Sequence, residues 1–164
     1  AALPNDKIVR VRGRCGSLDG RTRIMKGGRG LTTEPQTRRR VASGSPYEST
    51  IGFSRAVRVG QRVLVSGTAP IWPDGSCDPD PEAQARRCLE IILTALRETG
   101  ARAEDVVRTR MFITDAGYGE AVGRAHGEVF AAIRPAATMV VVAALLDSRW
   151  KVEIEAEAIV SDEQ

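Results

Sequence analysis

A helix marked at both ends, near the middle of the chain, is the feature that most constrains the fold. Asp80 is suited to cap a helix N-terminus, Pro81 presets the backbone angle of the first helical residue, and Gly100 is typical of a C-terminal stop. Between these ends, apolar side chains recur every three or four residues, at Ala85, Cys88, Leu89, Ile92, Leu93 and Leu96. The pattern predicts an amphipathic helix that buries one stripe.

Strand patterns flank this helix on both sides. Residues 62–66 have the pattern of a short buried strand, and the apolar stretch before Gly60 predicts its partner in a hairpin. After the helix, residues 105–115 alternate apolar and polar side chains, which is typical of a half-buried strand. Two further strands are predicted at 138–145 and 151–160, and the first is expected to be buried on both faces because both are apolar.

A second helix is predicted at 118–133, between the strand at 105–115 and the last two strands. Its glycines Gly119, Gly123 and Gly127 lie four apart, and we expect this bare stripe to pack closely on a sheet. The resulting order, ββαβαββ, predicts an α+β sheet with both helices on one face. The other face then needs a cover, for which we expect another subunit.

Charge divides the chain into two parts. Residues 1–40 carry eleven Lys and Arg against three Asp and Glu and hold none of the seven aromatic residues. This composition predicts a flexible basic extension, residues 1–40, that precedes a folded domain at 41–164. Such an extension can bind nucleic acid through its charge, but its composition favours a solvated segment.

Several classes of protein are not expected. The longest apolar run, 139–146, is far shorter than the ~20 residues that span a bilayer, and no secretion signal is recognisable, so we expect a cytoplasmic protein without a membrane partner. One histidine and three scattered cysteines form no zinc pattern, and no nucleotide-binding glycine loop is present. We therefore expect neither a metal nor a cofactor.

Five segments, taken in order and at their spacing, resemble one known family. They are Ser45-Pro-Tyr47, Val65-Ser-Gly-Thr-Ala-Pro70, residues 105–115, Arg134-Pro-Ala136 and Val152-Glu-Ile-Glu-Ala156. The sequence resembles the Rid family of reactive intermediate deaminases, also called YjgF-like or L-PSP endoribonuclease-like, over about residues 41–160. The resemblance implies a chorismate-mutase-like fold, a homotrimer with a barrel-like centre, and small-molecule clefts between subunits. Family members with the full site hydrolyse enamines and imines to ketones and ammonia.

The resemblance also implies roles for individual residues. Glu153 matches the family's catalytic carboxylate, Tyr47 matches an aromatic residue that lines the cleft, and Ser66, Gly67 and Thr68 match the segment whose backbone amides face the ligand. In the family, an arginine after Pro-Ala binds the substrate carboxylate. This chain has Ala137 at that position, followed by Thr138 at the same part of the cleft.

The residues alone leave other interpretations open. Glu153 is also compatible with a solvated strand face shared with Lys151 and Glu155, and Tyr47 with simple packing at a turn. Either Arg110 or Arg149 is a candidate to replace the missing cation, whereas His126 is expected to pack at an interface rather than to catalyse.

Two functions follow from this reading. The first is a trimeric deaminase-like hydrolase whose specificity is altered because Ala137 replaces the carboxylate-binding arginine. The second is a protein of the same fold that binds a small metabolite, or weakly binds RNA, without turnover.

Overall fold

Six strands and two α-helices make up the fold in this computed structural model, which describes residues 37–161. The strands are β1 (Arg38–Val41), β2 (Ala56–Val59), β3 (Arg62–Thr68), β4 (Val106–Ile113), β5 (Ala136–Val141) and β6 (Val152–Ile159), and the helices are α1 (Pro81–Glu98) and α2 (Gly119–Phe130). The expected α+β class and the predicted order of elements from β2 onward are confirmed. The basic segment 1–36 lies outside the described residues.

The strands form one sheet in the order β1-β2-β3-β6-β4-β5. Neighbouring strands are antiparallel except β4 and β5, which run parallel. The predicted hairpin is present as β2 and β3, whose ladder ends at the pair Val59 and Arg62. β1 was not predicted, and it begins three residues before the expected domain boundary, with its arginines Arg38, Arg39 and Arg40 exposed.

The ends of α1 are those predicted from the sequence. A side-chain oxygen of Asp80 accepts a hydrogen bond from the Ala83 amide at 2.9 Å, and Gly100 adopts a φ of 78°, which L-residues rarely take. Cys88 is fully buried on the core side of the helix, as expected.

Both helices contribute to one core on one face of the sheet. Inward-facing side chains of β3, β4 and β6 alternate with outward-facing ones, so that Val63, Met111 and Ile154 are buried while Leu64, Arg110 and Glu153 point to the other face. None of the helices within residues 37–161 is long and apolar enough to span a membrane.

A buried glutamine ties the start of α1 to two loops. The Gln84 side chain is fully buried, and its Nε2 donates to the carbonyls of Asp78 at 2.7 Å and Arg149 at 2.9 Å. Its Oε1 accepts from the Lys151 amide at 2.7 Å. Each polar group of this side chain is therefore paired, as burial requires.

Two details of packing differ from the sequence prediction. β5 lies at an edge of the sheet, and Val140 and Val141 are 42% and 55% exposed, so the expectation that this strand is buried on both faces is wrong for a single chain. A Cβ added at Gly123 or Gly127 would meet nothing within 4 Å, so these two glycines do not pack closely on a sheet. The spacing of apolar residues indicates which side of a strand or helix is apolar, but it does not indicate what packs against that side.

Candidate functional site

A β-bulge near the end of β3 defines the candidate site. Val65 pairs with Ala156 and Thr68 pairs with Ile154, so Ser66 and Gly67 together lie opposite a single residue of β6. A bulge of this kind interrupts the ladder and redirects side chains, and bulges are common beside active sites. The predicted segment Ser66 to Thr68 therefore lies at an irregular point of an otherwise regular sheet.

The Glu153 carboxylate lies directly against the bulge. It occupies the space that a side chain on Gly67 would need, since a Cβ built there would lie 3.1 Å from the Glu153 Cδ and closer still to its Oε1. Only glycine at position 67 allows this close approach. The structure thus brings together Glu153 and Gly67, two of the residues that the family resemblance had indicated.

Glu153 has the properties of a carboxylate that can exchange a proton. It is half-buried, and no described residue donates a hydrogen bond to it. Burial raises the pKa of Glu153 above the usual value, and the charge of Glu155 raises it further, while the nearby charge of Arg55 opposes the change. A carboxyl group with a raised pKa and free oxygens suits general acid–base chemistry.

Arg55 is a residue of the site that the sequence analysis missed. Its Nη1 donates to the Gly67 carbonyl at 3.2 Å and to Thr68 Oγ1 at 2.9 Å, so it braces the bulge on which Glu153 rests. Burial lowers the pKa of Arg55, and the charge of Glu153 partly restores it. The residue lies just before β2, as a polar position within the apolar stretch that precedes Gly60, and the pairing of β2 with β3 brings it to Gly67.

Ser66 and Thr68 are engaged in internal hydrogen bonds. The Ser66 hydroxyl donates to the Ser54 carbonyl at 2.7 Å, and the Ser66 amide donates to the Arg55 carbonyl at 3.0 Å. The Thr68 hydroxyl donates to the Ser66 carbonyl at 2.8 Å. These bonds fix the shape of the bulge, and no described residue donates a hydrogen bond to the Glu153 oxygens beside it.

Ala137 and Thr138 lie apart from Glu153 within one chain. They are on the edge strand β5, where Ala137 pairs with Thr109 and Thr138 pairs with Arg110, whereas Glu153 pairs with Phe112 on the other side of β4. Two strand spacings and three residues separate the Ala137 and Glu153 backbones, roughly 14 Å. The register also directs the Ala137 side chain to the helix face and the Glu153 side chain to the opposite one.

Tyr47 is likewise separate from the bulge in the described contacts. It is 65% exposed at the start of a short π-helical turn, Glu48–Gly52. Its amide donates to Ser45 Oγ at 3.2 Å, and no hydrogen bond or ring contact joins it to a described residue of the bulge.

The two arginines considered as substitute cations already have partners. Arg110 pairs with Glu155 and also with Glu157, the second at 3.4 Å, and Arg149 pairs with Asp147 at 2.7 Å. Neither guanidinium is therefore free to replace the missing arginine without losing an existing ion pair.

His126 lies on the opposite side of the sheet from Glu153. Its Nε2 is 2.9 Å from Thr109 Oγ1, and its ring lies 4.7 Å from that of Phe130. Burial lowers the pKa of His126, which favours the neutral ring. In residues 37–161, no three His, Cys, Asp or Glu side chains are grouped so that they could hold a metal ion.

Comparisons of sequence and structure with known proteins identify relatives of this chain. A family model described as Endoribonuclease L-PSP matches residues 44–160. An uncharacterised protein of Streptomyces coelicolor is 42% identical over 121 residues, which cover 73% of this chain and 90% of that protein. A protein of Salmonella typhimurium named 2-iminobutanoate/2-iminopropanoate deaminase is 32% identical over 111 residues, covering 65% and 86% respectively. The crystal structure of a YjgF/YER057c/UK114 family member from Mycobacterium tuberculosis is 44% identical, with a TM-score of 0.70, and covers 76% of this chain and 100% of that chain.

Proposed function

The chain belongs to the endoribonuclease L-PSP family, which includes the Rid and YjgF proteins, and we propose that it hydrolyses imines and enamines as a homotrimer. The observation that carries the proposal is Glu153: a half-buried carboxylate with a raised pKa, seated on a glycine bulge without a donor among the described residues. That a relative is named as an imine deaminase supports the same chemistry.

The reaction requires one water and moves protons between water, Glu153 and the substrate nitrogen. Ionised Glu153 removes a proton from water as the water oxygen bonds to the imine carbon, and the imine nitrogen takes up a proton from solvent to give a carbinolamine. Protonated Glu153 then returns its proton to the nitrogen, the carbon–nitrogen bond breaks, and ammonia leaves. The hydroxyl proton returns to solvent as the carbonyl product forms, so one water is consumed for each ammonia released.

We propose that a complete site needs two chains. Within one chain the β5 positions Ala137 and Thr138 lie two strands away from Glu153, on an exposed edge. An edge strand of a second copy placed beside the bulge would bring the two sets of residues together. The exposed Val140 and Val141 provide apolar surface for such contact.

The molar mass of the protein in solution tests the proposed trimer. Light scattering coupled to size exclusion is expected to give about 53 kDa, three times the 17.7 kDa of one chain. Replacing the exposed Val141 with aspartate is expected to shift the mass toward one chain, because charge on an apolar contact opposes association. A monomeric wild-type protein would contradict the two-chain site.

The methyl group of Ala137 sets the expected specificity. An arginine there would bind a substrate carboxylate through charge-assisted hydrogen bonds, which alanine does not make. We therefore propose that the substrate range differs from that of 2-imino acid deaminases and includes imines whose binding does not depend on a cation at position 137.

The deciding experiment measures ammonia release from imines generated in situ. The panel contains 2-imino acids, formed by an amino-acid oxidase in the presence of catalase, and uncharged imines of matched size. The wild type is expected to accelerate hydrolysis, and Ala137→Arg is expected to raise kcat/KM for the 2-imino acids by about tenfold or more relative to the uncharged imines. A wild type that accelerates none of them would favour the alternative, a metabolite-binding protein without turnover.

A further inference from the structure

His126 and Ala137 lie on the same side of the sheet, and Thr109 connects them. Thr109 of β4 pairs with Ala137 of β5, so the side chains of these two residues lie side by side on the helix face, with their backbones about 5 Å apart. Thr109 Oγ1 is also 2.9 Å from Nε2 of His126, which lies on α2. A surface that includes Ala137 therefore has His126 close to it.

Small residues surround His126 at this edge of the sheet. Gly123 lies three residues before His126 and is its neighbour on the surface of α2. Gly123 is exposed, and a Cβ added there would meet nothing within 4 Å. Ala137 is exposed as well and extends only a methyl group from the sheet. These positions leave space for a substrate beside the half-buried imidazole.

The imidazole has one nitrogen in use and one without a partner. The hydrogen bond to Thr109 uses Nε2, and no described residue forms a hydrogen bond with Nδ1. The Phe130 ring packs on the imidazole, with 4.7 Å between the ring centroids. A histidine held in this way can donate and accept a proton at its second nitrogen.

No charged group of the packed elements acts on His126 within one chain. The charged side chains of these elements pair with one another or extend from the other face of the sheet; they are Arg124 and Glu128 on α2, Glu82 and Arg86 on α1, and Arg108 and Arg110 on β4. β5 carries no charged residue. Burial alone lowers the pKa of His126, so a charge that reaches it from a second copy would change this pKa measurably.

We propose that His126 is a second proton-transfer residue of the hydrolase and acts on the substrate together with Glu153 of a neighbouring copy. The inference rests on the proposed function and its two-chain site. An edge strand that brings Ala137 to Glu153 of another copy also brings His126, through the contact with Thr109. Within one chain Glu153 and His126 lie on opposite faces of the sheet, so the pair requires two copies.

The two residues together balance every proton movement of the hydrolysis. Protonated His126 gives its proton to the imine nitrogen, while ionised Glu153 takes one from the water whose oxygen bonds to the imine carbon. Glu153 then gives its proton to the carbinolamine nitrogen, the carbon–nitrogen bond breaks and ammonia leaves. Neutral His126 takes the hydroxyl proton as the carbonyl forms. Both residues return to their initial states, and His126 supplies and recovers the proton that solvent would otherwise exchange.

Mixed assemblies of two variants test the pair. Glutamine in His126→Gln keeps a hydrogen bond to Thr109 but does not titrate, and His126→Gln and Glu153→Gln alone are each expected to lose about a hundredfold or more in kcat. The two chains are co-expressed with different tags that contain no histidine, and assemblies that hold both are isolated. Their activity is expected to return to about a third of wild type, because one of three sites joins an intact His126 to an intact Glu153. No gain on mixing, or a wild-type rate in His126→Gln, would overturn the proposal.

A second measurement needs no turnover and therefore separates this inference from the proposed function. His126 is the single histidine of the sequence, so the NMR signal of ¹³C-labelled histidine in the untagged protein reports its pKa directly. In the assembled protein, Glu153→Gln is expected to lower the pKa of His126 by about one pH unit, because a neighbouring negative charge is lost. Glu98→Gln, which removes an exposed carboxylate at the end of α1, is expected to leave it unchanged.

The same titration in a single chain shows whether the effect crosses between copies. In the monomer expected from Val141→Asp, adding Glu153→Gln is expected to leave the pKa of His126 unchanged, because the two side chains are on opposite faces of the sheet. An equal pKa in the wild-type and Glu153→Gln assemblies would overturn the inference even if imines are hydrolysed. A wild type that hydrolyses no imine but shows the pKa change would contradict the proposed function and still support the pairing of His126 with Glu153.

Discussion

Glu153→Gln is expected to lower the rate of imine hydrolysis by about 10²- to 10⁴-fold. The amide keeps the size of the side chain and its seat on Gly67, but it neither removes a proton from water nor returns one to the leaving nitrogen. The measurement is ammonia release at saturating imine, with circular dichroism to confirm an unchanged fold. Glu157→Gln is the matched control, because Glu157 lies on the same strand but pairs with Arg62 at 2.9 Å.

The pH dependence gives an independent signature of Glu153. Since the ionised form acts as the base, the wild-type rate is expected to rise with pH through a pKa above that of an ordinary glutamate. Ionisation is harder in the folded than in the unfolded protein, so this group lowers stability as pH rises from the unfolded pKa through the raised folded pKa. Glu153→Gln should therefore remove both the rise in rate and this loss of stability.

Gly67→Ala tests the same site from the other strand. The added methyl group would collide with the Glu153 carboxylate and displace it, but the displaced atoms end a flexible side chain. Activity is therefore expected to fall strongly while the free energy of unfolding changes little. Wild-type rates in both Gly67→Ala and Glu153→Gln would show that the bulge is not the catalytic centre.

Gln84→Leu is expected to reduce the free energy of unfolding by about 3–4 kcal/mol. The substitution fits the buried space but removes the donor for the carbonyls of Asp78 and Arg149 and the acceptor for the Lys151 amide. Partners left without a hydrogen bond contribute more to the loss than the bonds themselves do. Urea denaturation at one fixed protein concentration measures the change, since assembly also affects apparent stability.

A substitution by leucine at an exposed position of the same helix serves as the control for the stability measurement. Thr94→Leu, at an exposed position of α1, is expected to change the free energy of unfolding by no more than about 0.5 kcal/mol. If Gln84→Leu is as mild as Thr94→Leu, the three bonds of Gln84 do not hold the two loops to α1.

The sequence predicted α1 because the residues that start and end this helix lie within it or directly beside it. Asp80, Pro81 and Gly100 delimit α1 through capping and backbone geometry, which depend on a few neighbouring residues. β1 escaped prediction because three consecutive arginines do not have the apolar alternation of a strand. Its formation depends on pairing with β2, and this pairing cannot be recognised from a short stretch of the sequence.

The sequence predicted only part of the candidate site, again because the site depends on strand pairing between distant segments. The family resemblance indicated both Glu153 and Gly67, but their contact requires a bulge in the pairing of β3 with β6, strands more than eighty residues apart. Arg55 reaches the site through that same sheet order. Ala137 and Thr138 on β5 are separated from Glu153 on β6 because β4 lies between these two strands, a topology that element order alone does not fix.

The two edges of the described sheet differ in chemistry, and the difference limits how copies can polymerise. β5 offers an uncharged edge, Ala136–Val141, to which another extended chain can add, whereas β1 at the opposite edge carries three exposed arginines. Joining β5 of one copy to β1 of the next would bring those arginines against a strand with no acidic residue to pair them. Open-ended fibre growth by that route is therefore disfavoured, and a closed ring in which β5 meets another surface avoids the cost.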